Sequence, residues 1–192
     1  MEGRDEPGAI IVVVGPSGAG KDSVIGFAAR QFAGSKDIGF VRRVITRPTD
    51  AGGEVHESVS PAGFDTRLAA GEFAVAWQAH GLKYGIPREA VRRTRDGETL
   101  IANGSRGALG QFRKAFPRVC VVNITASPQV LASRLVARGR ESEADIFNRL
   151  RRQVPDLLDE ADVMTIDNSG PLDIAGQRFA AFVASLKSRR PA

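Results

Sequence analysis

The sequence predicts an α/β fold in which a central parallel sheet is flanked by helices. Two observations predict this class. Short apolar runs of strand length alternate with helical stretches through most of the 192 residues. The first run, residues 9–14, is apolar throughout, which is typical of a strand covered on both faces. Alternating units of this length imply right-handed crossovers between parallel strands.

The remaining elements follow in order along the chain. Further strands are predicted over 40–45, 73–79, 99–102, 119–124 and 163–166. Helices are predicted over 21–32, 64–70, 89–95, 106–116, 128–138 and 143–153. A closing helix presents one apolar face, which consists of Leu172, Ala175, Phe179, Phe182 and Leu186. The less regular stretch at 47–87 is interpreted as a small insertion in the α/β core.

Composition excludes several classes of protein. The net charge is +5 and the hydrophobic content is 42%, so the chain can bury a core. Its longest aliphatic run is far shorter than a membrane span, and no signal-peptide pattern precedes it. One cysteine and two histidines exclude an internal disulfide and a cysteine-based zinc site. The basic residues are scattered and aromatics are 6%, which disfavours nucleic-acid binding. We expect a cytoplasmic protein without membrane partners, whose oligomeric state stays open.

A glycine-rich loop connects the first strand to the first helix. It consists of Gly15, Pro16, Ser17, Gly18, Ala19, Gly20, Lys21, Asp22 and Ser23. Glycines let successive backbone N–H groups point inward at phosphate oxygens, and the helix N-terminus adds positive potential there. A lysine at this spacing reaches the β- and γ-phosphates of a nucleotide. The pattern therefore predicts a P-loop that binds ATP, with Lys21 as a catalytic residue.

One position of the loop departs from the usual pattern. Where Ser or Thr normally ligates magnesium, this chain has Asp22 followed by Ser23. A carboxylate is a good hard ligand for Mg²⁺, so we predict that these two residues hold the ion. The alternative is that Asp22 is an acidic first-turn residue favoured by the helix dipole.

The chain resembles the guanylate kinase family of nucleoside monophosphate kinases. The matching segments are 15–23, 44–48, 71–87, 131–141 and 166–170, in the family's order, within a core of about 9–187. The resemblance implies a P-loop NTPase fold in one domain over 1–192, with an acceptor-binding insertion at about 47–87. It also implies an arginine-rich lid at about 138–144.

By the same resemblance, Arg138 and Arg140 belong to the lid that closes over the transferring phosphoryl group. Arg149, in the next predicted helix, joins them as a catalytic residue. Asn168 follows the last predicted strand at the position where the family contacts adenine. A solvated helix face is the alternative interpretation of these arginines.

Departures from the guanylate kinase pattern concern the acceptor. Arg43 stands where the family has a guanine-reading Ser, Val75 where it has a Glu, and Asp50 where it has a phosphate-holding Arg. A valine leaves guanine's donors unpaired, at about 1–3 kcal/mol each. Within the family, the chain instead resembles a subgroup that phosphorylates ribose 1,5-bisphosphate to 5-phospho-α-D-ribose 1-diphosphate in phosphonate breakdown. The predicted acceptor-binding residues are Arg43, Arg47, Glu54, His56, Tyr84, Asn103 and Ser105.

Alternatives stay open at this stage. His56 either faces the acceptor or is an exposed loop histidine, and Trp77 is expected to pack in the insertion's own small core. The strand end at Asn103 and Ser105 offers no carboxylate base. This favours a phosphate acceptor over a sugar hydroxyl, because a phosphate oxygen is already ionised near neutrality. Guanylate kinase itself and a non-catalytic phospholigand-binding module are the rival functions.

Overall fold

The computed structural model describes residues 7–48, 54–137 and 163–188. The strands are β1 Ile10–Val14, β2 Ile38–Phe40, β3 Val44–Ile45, β4 Glu57–Ser58, β5 Phe73–Ala79, β6 Leu82–Pro87, β7 Thr99–Asn103, β8 Val119–Thr125 and β9 Val163–Asp167. The helices are α1 Lys21–Gln31, α2 Pro61–Ala69, α3 Glu89–Arg95, α4 Leu109–Ala115, α5 Pro128–Ala137 and α6 Leu172–Ser188.

The strands form two sheets. The five-stranded sheet has the order β2-β7-β1-β8-β9, and the four-stranded sheet has the order β4-β3-β6-β5. Strand β7 pairs with β2 in parallel, and so does β9 with β8. Every residue of β1 is buried, as expected for a strand covered on both faces. The prediction of a central parallel sheet flanked by helices is confirmed. Within the described ranges, every helix is too short or too polar to cross a membrane.

The chain divides into two compact units. The first contains residues 1–12 and 32–120, which include the four-stranded sheet. The second contains residues 13–31 and 121–192, which include the glycine-rich loop. The single domain that the sequence suggests over 1–192 stays a prediction. The predicted lid at 138–144, the predicted helix at 143–153 and Asp50 lie outside the described residues.

The predicted strand at 40–45 is wrong, because this segment passes from one sheet to the other. Its start belongs to β2 in the five-stranded sheet, and its end is β3 in the four-stranded sheet. An apolar run does not reveal such a switch of partners. The sequence also missed strand β6, whose Lys83, Tyr84 and Gly85 show no clean alternation. The β5–β6 turn depends on His80 and Gly81, both at positive φ (51° and 72°).

Two smaller corrections concern helices. The predicted helix at 106–116 begins as a 3₁₀ turn, Arg106–Ala108, and becomes α-helical only in α4. Helix α2 begins three residues before the predicted 64–70, with the Ser60 side chain accepting a hydrogen bond from the Gly63 N–H at 3.0 Å. A Ser followed by Pro at the first helical position is a standard helix start that the sequence interpretation overlooked.

A β-bulge between Phe73 and Val75 changes which face of the four-stranded sheet the following residues of β5 occupy. Phe73 packs on one face with Val44 and with Phe64, whose ring centroid lies 4.6 Å away. The bulge shifts the register, so Val75 and Trp77 lie on the other face. The predicted strand at 73–79 is confirmed, but its simple alternation is not.

A bidentate ion pair joins α3 to the start of β7 in the first unit. Arg93 donates from Nε to Glu98 at 2.7 Å and from Nη2 at 2.5 Å. Hydrogen bonding to Glu98 raises the pKa of the Arg93 guanidinium above its ordinary value.

In the second unit, α1 packs against α6. A Cβ added at Gly176 would lie 2.4 Å from the Phe27 ring, so glycine permits the close approach. The buried face of α6 includes Ala175, Phe179 and Val183. The predicted apolar face included Phe182, which is only half-buried, because the true stripe follows the 3.6-residue period more closely.

Candidate active site

The glycine-rich loop adopts a backbone that side chains would obstruct. Gly15, Gly18 and Gly20 have φ values of 144°, 87° and 87°, which L-residues with a Cβ rarely adopt. A Cβ at Gly15 would also lie 2.1 Å from the carbonyl oxygen of Ile124. Helix α1 follows directly, with the Val24 N–H donating to the Gly20 carbonyl at 3.0 Å. The loop thus has the conformation and the helix that a phosphate cradle needs.

Lys21 is held inside this loop. Its Nζ donates to the carbonyl oxygen of Gly15 at 2.9 Å and to that of Pro16 at 3.1 Å. These carbonyls hold the ammonium against the loop, where phosphate oxygens would be close partners. Its catalytic role stays a prediction.

Two side chains brace the loop from behind. Asn168 is 2% exposed, and its Nδ2 donates to the Ala19 carbonyl at 2.8 Å. Arg134 donates from Nη2 to the Asn168 carbonyl at 3.0 Å and from Nη1 to the Gly18 carbonyl at 3.4 Å. The side-chain N–H of Asn168 therefore fixes the loop, while the adenine contact stays a prediction. Sequence reasoning missed the bracing role of Arg134, although the residue lies inside the matching segment 131–141.

The candidate magnesium ligands lie in the first turn of α1. Asp22 is half-buried and Ser23 is exposed. No group of three or more His, Cys, Asp or Glu side chains that could hold a metal ion is found among the described residues. Mg²⁺ on a nucleotide needs only one or two protein oxygens, because phosphate and water oxygens complete its shell. A carboxylate and a hydroxyl beside a phosphate loop fit that requirement.

In the first unit, Glu54 connects two predicted acceptor residues. Arg43, 8% exposed, donates from Nε to Glu54 Oε1 at 2.6 Å, and its Nη2 pairs with the same oxygen. Glu54 Oε2 accepts from Asn103 Nδ2 at 3.3 Å. The structure therefore brings together three residues that are far apart in sequence. Because the pair is mostly buried, each charge is compensated mainly by its partner, and removing one partner would leave the other charge buried and unpaired.

Aromatic rings complete this group. Trp77 and Tyr84 stack across β5 and β6, with ring centroids 5.3 Å apart and planes 7° apart. The Arg43 guanidinium carbon lies 5.0 Å from the Tyr84 centroid and 5.7 Å from that of Trp77. Trp77 thus packs beside Arg43, not in the small apolar core with Phe64. We call Arg43, Glu54, Trp77, Tyr84 and Asn103 the acceptor cluster.

His56 is buried, so it is not an exposed loop histidine, and its acceptor role stays a prediction. The residue is 3% exposed, and its Nε2 donates to the Arg47 carbonyl at 2.9 Å. Its Nδ1 lies 3.0 Å from the Glu54 carbonyl oxygen and 3.4 Å from Nη2 of Arg47. His56 therefore positions Arg47. The buried Nε of Arg47 has no hydrogen-bond partner among the described residues, so it is a donor suited to an anion.

The remaining predicted residues are less constrained. Ser105 is half-buried and extended (φ −127°, ψ 141°), and its carbonyl accepts from the Ala108 N–H at 3.0 Å. Its acceptor role stays a prediction. Arg138, Arg140 and Arg149 lie outside the described residues.

The parallel sheet, the glycine loop between β1 and α1 and the adjoining lysine define a P-loop kinase fold. The chain is similar in structure to guanylate kinase from Anaplasma phagocytophilum, with a TM-score of 0.68, 17% identity, and coverage of 98% of this chain and 89% of that one. At this identity the likeness shows the fold alone. No protein-family model matches the chain.

Sequence relatives are more specific. The chain is 52% identical over 181 residues to the ribose 1,5-bisphosphate phosphokinase PhnN of Rhizobium etli (strain CIAT 652), covering 94% of this chain and 92% of the relative. It is 54% identical over 168 residues to the PhnN of Agrobacterium fabrum (strain C58 / ATCC 33970), covering 88% and 92%. The chain belongs to the ribose 1,5-bisphosphate phosphokinase family, whose members are phosphotransferases.

Proposed function

We propose that this chain transfers the γ-phosphoryl group of ATP to the 1-phosphate of ribose 1,5-bisphosphate. The products are ADP and 5-phospho-α-D-ribose 1-diphosphate, and the setting is phosphonate catabolism. The observation that carries the proposal is the acceptor cluster, in which Glu54 holds Arg43 against the Trp77–Tyr84 pair. A guanine-reading site would need a free carboxylate and a hydroxyl on this face. In place of the hydroxyl and the carboxylate, this chain has Arg43 and the apolar Val75, both of which are buried.

The second unit binds ATP in this proposal. The loop glycines offer backbone N–H groups to the phosphates, and Lys21 moves from the loop carbonyls to the β- and γ-phosphate oxygens. Asn168 and Arg134 keep the loop in the binding conformation. Asp22 and Ser23 hold Mg²⁺, which neutralises charge on the β- and γ-phosphates when bound. Arg138 and Arg140 of the predicted lid, together with Arg149 of the next predicted helix, add further positive charge.

The first unit binds the phosphorylated sugar. Arg47, positioned by His56, donates to an acceptor phosphate from the Nε that has no partner in the described structure. The Tyr84 hydroxyl and Asn103 are placed to hydrogen-bond sugar or phosphate oxygens. Arg43 contributes positive charge but no free pair of N–H donors, because its Nε and Nη2 already bind Glu54.

The chemistry requires positioning more than proton transfer. A phosphate oxygen of the acceptor attacks the γ-phosphorus in line, an O–P bond forms, and the bond from the γ-phosphorus to the β,γ-bridging oxygen breaks. The attacking oxygen is already ionised near neutrality, so no general base is needed. This agrees with the end of β7, where Asn103, Gly104 and Ser105 supply no carboxylate and the Glu54 carboxylate that accepts from Asn103 is paired with Arg43.

The test is a comparison of acceptors with purified protein and MgATP. Ribose 1,5-bisphosphate, GMP, AMP and ribose 5-phosphate are supplied separately, and ADP release and the phosphorylated product are both measured. We expect turnover with ribose 1,5-bisphosphate, and at least about 10⁴-fold less with ribose 5-phosphate, which lacks the attacking phosphate. Faster turnover of GMP would replace the proposal with guanylate kinase activity. No turnover of any acceptor would favour a binding module.

A further inference from the structure

We propose that Trp77 is a specificity-determining residue of the acceptor cluster, because it fixes the Arg43 guanidinium on the ring pair and thereby fills the space that a nucleobase would need. The inference rests on the proposed function and extends it. It assigns to Trp77 the exclusion of nucleotide acceptors, whereas Arg47 and its neighbours hold the phosphorylated sugar.

The first step is the position of the indole. Trp77 faces Tyr84 directly in the register of β5 and β6, and the two rings are nearly parallel. Phe112 of α4 lies 6.2 Å from it at an interplanar angle of 51°. The bulge at Phe73 and Val75 is what turns Trp77 to this face, away from the apolar core. The indole is therefore fixed by three neighbouring features of the first unit.

The second step is the position of the cation. Arg43 lies within 6 Å of both ring centroids, and Glu54 binds its Nε and Nη2. A guanidinium is planar and weakly hydrated, so it stacks on aromatic faces as a base does. Asn103 holds the second oxygen of Glu54. The ring face that a purine would use is thus occupied by the protein's own cation.

The third step is the consequence for acceptors. A nucleoside monophosphate gains much of its binding from stacking and from its base edge, and both need the space beside the rings. A sugar bisphosphate has no aromatic face and binds through charge and hydrogen bonds. A filled ring face therefore rejects the nucleotide, whereas the sugar phosphate does not need that space and gains from the charge of the Arg43 that the rings hold in place. Removing the indole should weaken the hold on Arg43 and open space beside Tyr84.

The experiment compares Trp77→Ala with Trp77→Phe. For each variant we measure the KM for ribose 1,5-bisphosphate, the KM for ATP, and the inhibition constant of GMP against ribose 1,5-bisphosphate. We expect Trp77→Ala to raise the acceptor KM about tenfold and to tighten GMP inhibition about tenfold, with the KM for ATP unchanged. Trp77→Phe retains an aromatic ring and should restore both values to within about threefold.

Phe73→Leu is the matched control. It removes an aromatic ring from the same strand but on the opposite face, next to Phe64. We expect it to lower the melting temperature without changing the ratio of acceptor KM to GMP inhibition constant. If Trp77→Ala behaves like Phe73→Leu, Trp77 is only structural and the inference is wrong. If Trp77→Ala fails to fold, Trp77→Leu takes its place, and its ratio of acceptor KM to GMP inhibition constant is compared with that of Phe73→Leu in the same way.

A double-substitution cycle gives an independent test. Arg43→Ser removes the cation and should also tighten GMP inhibition. Because Arg43 and Trp77 act on one space, the double variant should gain less than the product of the two single effects. Fully multiplicative effects would contradict the inference. A wild-type protein that does not phosphorylate ribose 1,5-bisphosphate overturns the proposed function instead, so the two failures are distinguishable.

Discussion

The glycine-rich loop and the acceptor cluster are built from different parts of the polypeptide: the loop from backbone groups, the cluster from side chains. In the loop, the groups that matter are backbone: glycines at positive φ, and carbonyls that receive Lys21, Asn168 and Arg134. In the acceptor cluster they are side chains, with Glu54 joining Arg43 to Asn103. The loop is a short contiguous segment, whereas Glu54 and Asn103 are 49 residues apart.

This difference explains how each region can vary. The loop glycines tolerate little substitution, since an added Cβ would collide with the Ile124 backbone at Gly15 and with the Asn168 side chain at Gly20. A side-chain cluster can be changed one residue at a time, so it can redefine the acceptor while the fold is kept. The largest effects on turnover should therefore come from the loop, and the largest effects on acceptor choice from the cluster.

Lys21→Ala gives the largest expected effect on rate. It removes the ammonium that would contact the transferring phosphoryl group, so kcat/KM should fall by at least about 10³-fold. The melting temperature should hardly change, because the carbonyls of Gly15 and Pro16 can bind water instead. Lys83→Ala is the control: it removes a lysine whose partner is the exposed Asp65. Near-normal activity of Lys21→Ala would mean that the loop is not the ATP site.

Glu54→Gln tests the acceptor cluster by removing the negative charge that pairs with Arg43. It keeps the size of the side chain but leaves the mostly buried Arg43 without its counter-charge, which should destabilise the fold by about 2 kcal/mol. The KM for ribose 1,5-bisphosphate should rise about tenfold or more, because the amide has one acceptor oxygen and cannot accept from both Arg43 and Asn103 as the two carboxylate oxygens do. The KM for ATP should stay the same.

The control for this variant is Glu89→Gln. Glu89 pairs with Arg92 on the exposed surface of α3, where such a pair contributes about 0–1 kcal/mol. We expect normal kinetics from it. An equal rise in the KM for ATP and for the acceptor in Glu54→Gln would show that Glu54 supports the whole fold, and would contradict the contrast between the two regions.

The sequence predicted the contiguous glycine-rich loop better than it predicted the two sheets, whose strands pair with distant segments. The loop, β1 and α1 follow from a contiguous pattern, and their bounds are nearly those observed. The residues at 40–45 could not be assigned correctly, because the two sheets take their partners from distant segments. Local propensity does not specify which partner a strand chooses.

The candidate site shows the same division at the level of single side chains. Arg43, Glu54 and Asn103 were each predicted as acceptor residues, but nothing in the sequence joins them through one carboxylate. Trp77 was expected in the insertion's small core because it alternates with Val75. The bulge between Phe73 and Val75 places both residues on the face opposite Phe73, and a bulge has no reliable signal in a sequence without a glycine at the site.

Asn168→Ala tests the brace behind the loop. The substitution leaves the Ala19 carbonyl without its 2.8 Å hydrogen bond in a buried place, which should destabilise the fold by about 1–3 kcal/mol. A less rigid loop should raise the KM for ATP about tenfold while the KM for the acceptor stays unchanged. Asn123→Ala is the control, because Asn123 is also buried in the second unit but its side-chain atoms have no hydrogen-bond partner among the described residues. Equal changes in both variants would show general loosening.

The smallest expected effect concerns magnesium. Asp22→Ala should shift the magnesium concentration for half-maximal activity upward by about threefold to tenfold, because phosphate oxygens and Ser23 still offer ligands. Asp173→Ala is the matched control, since Asp173 is likewise an acidic residue in the first turn of a helix, α6. Both variants lose the favourable charge at a helix N-terminus, about 0.3–1 kcal/mol of stability. A magnesium shift in Asp22→Ala alone would separate ion binding from this shared helix effect. Identical magnesium curves would leave Asp22 as a helix-end residue, and the loop would then bind the metal through phosphate and Ser23 only.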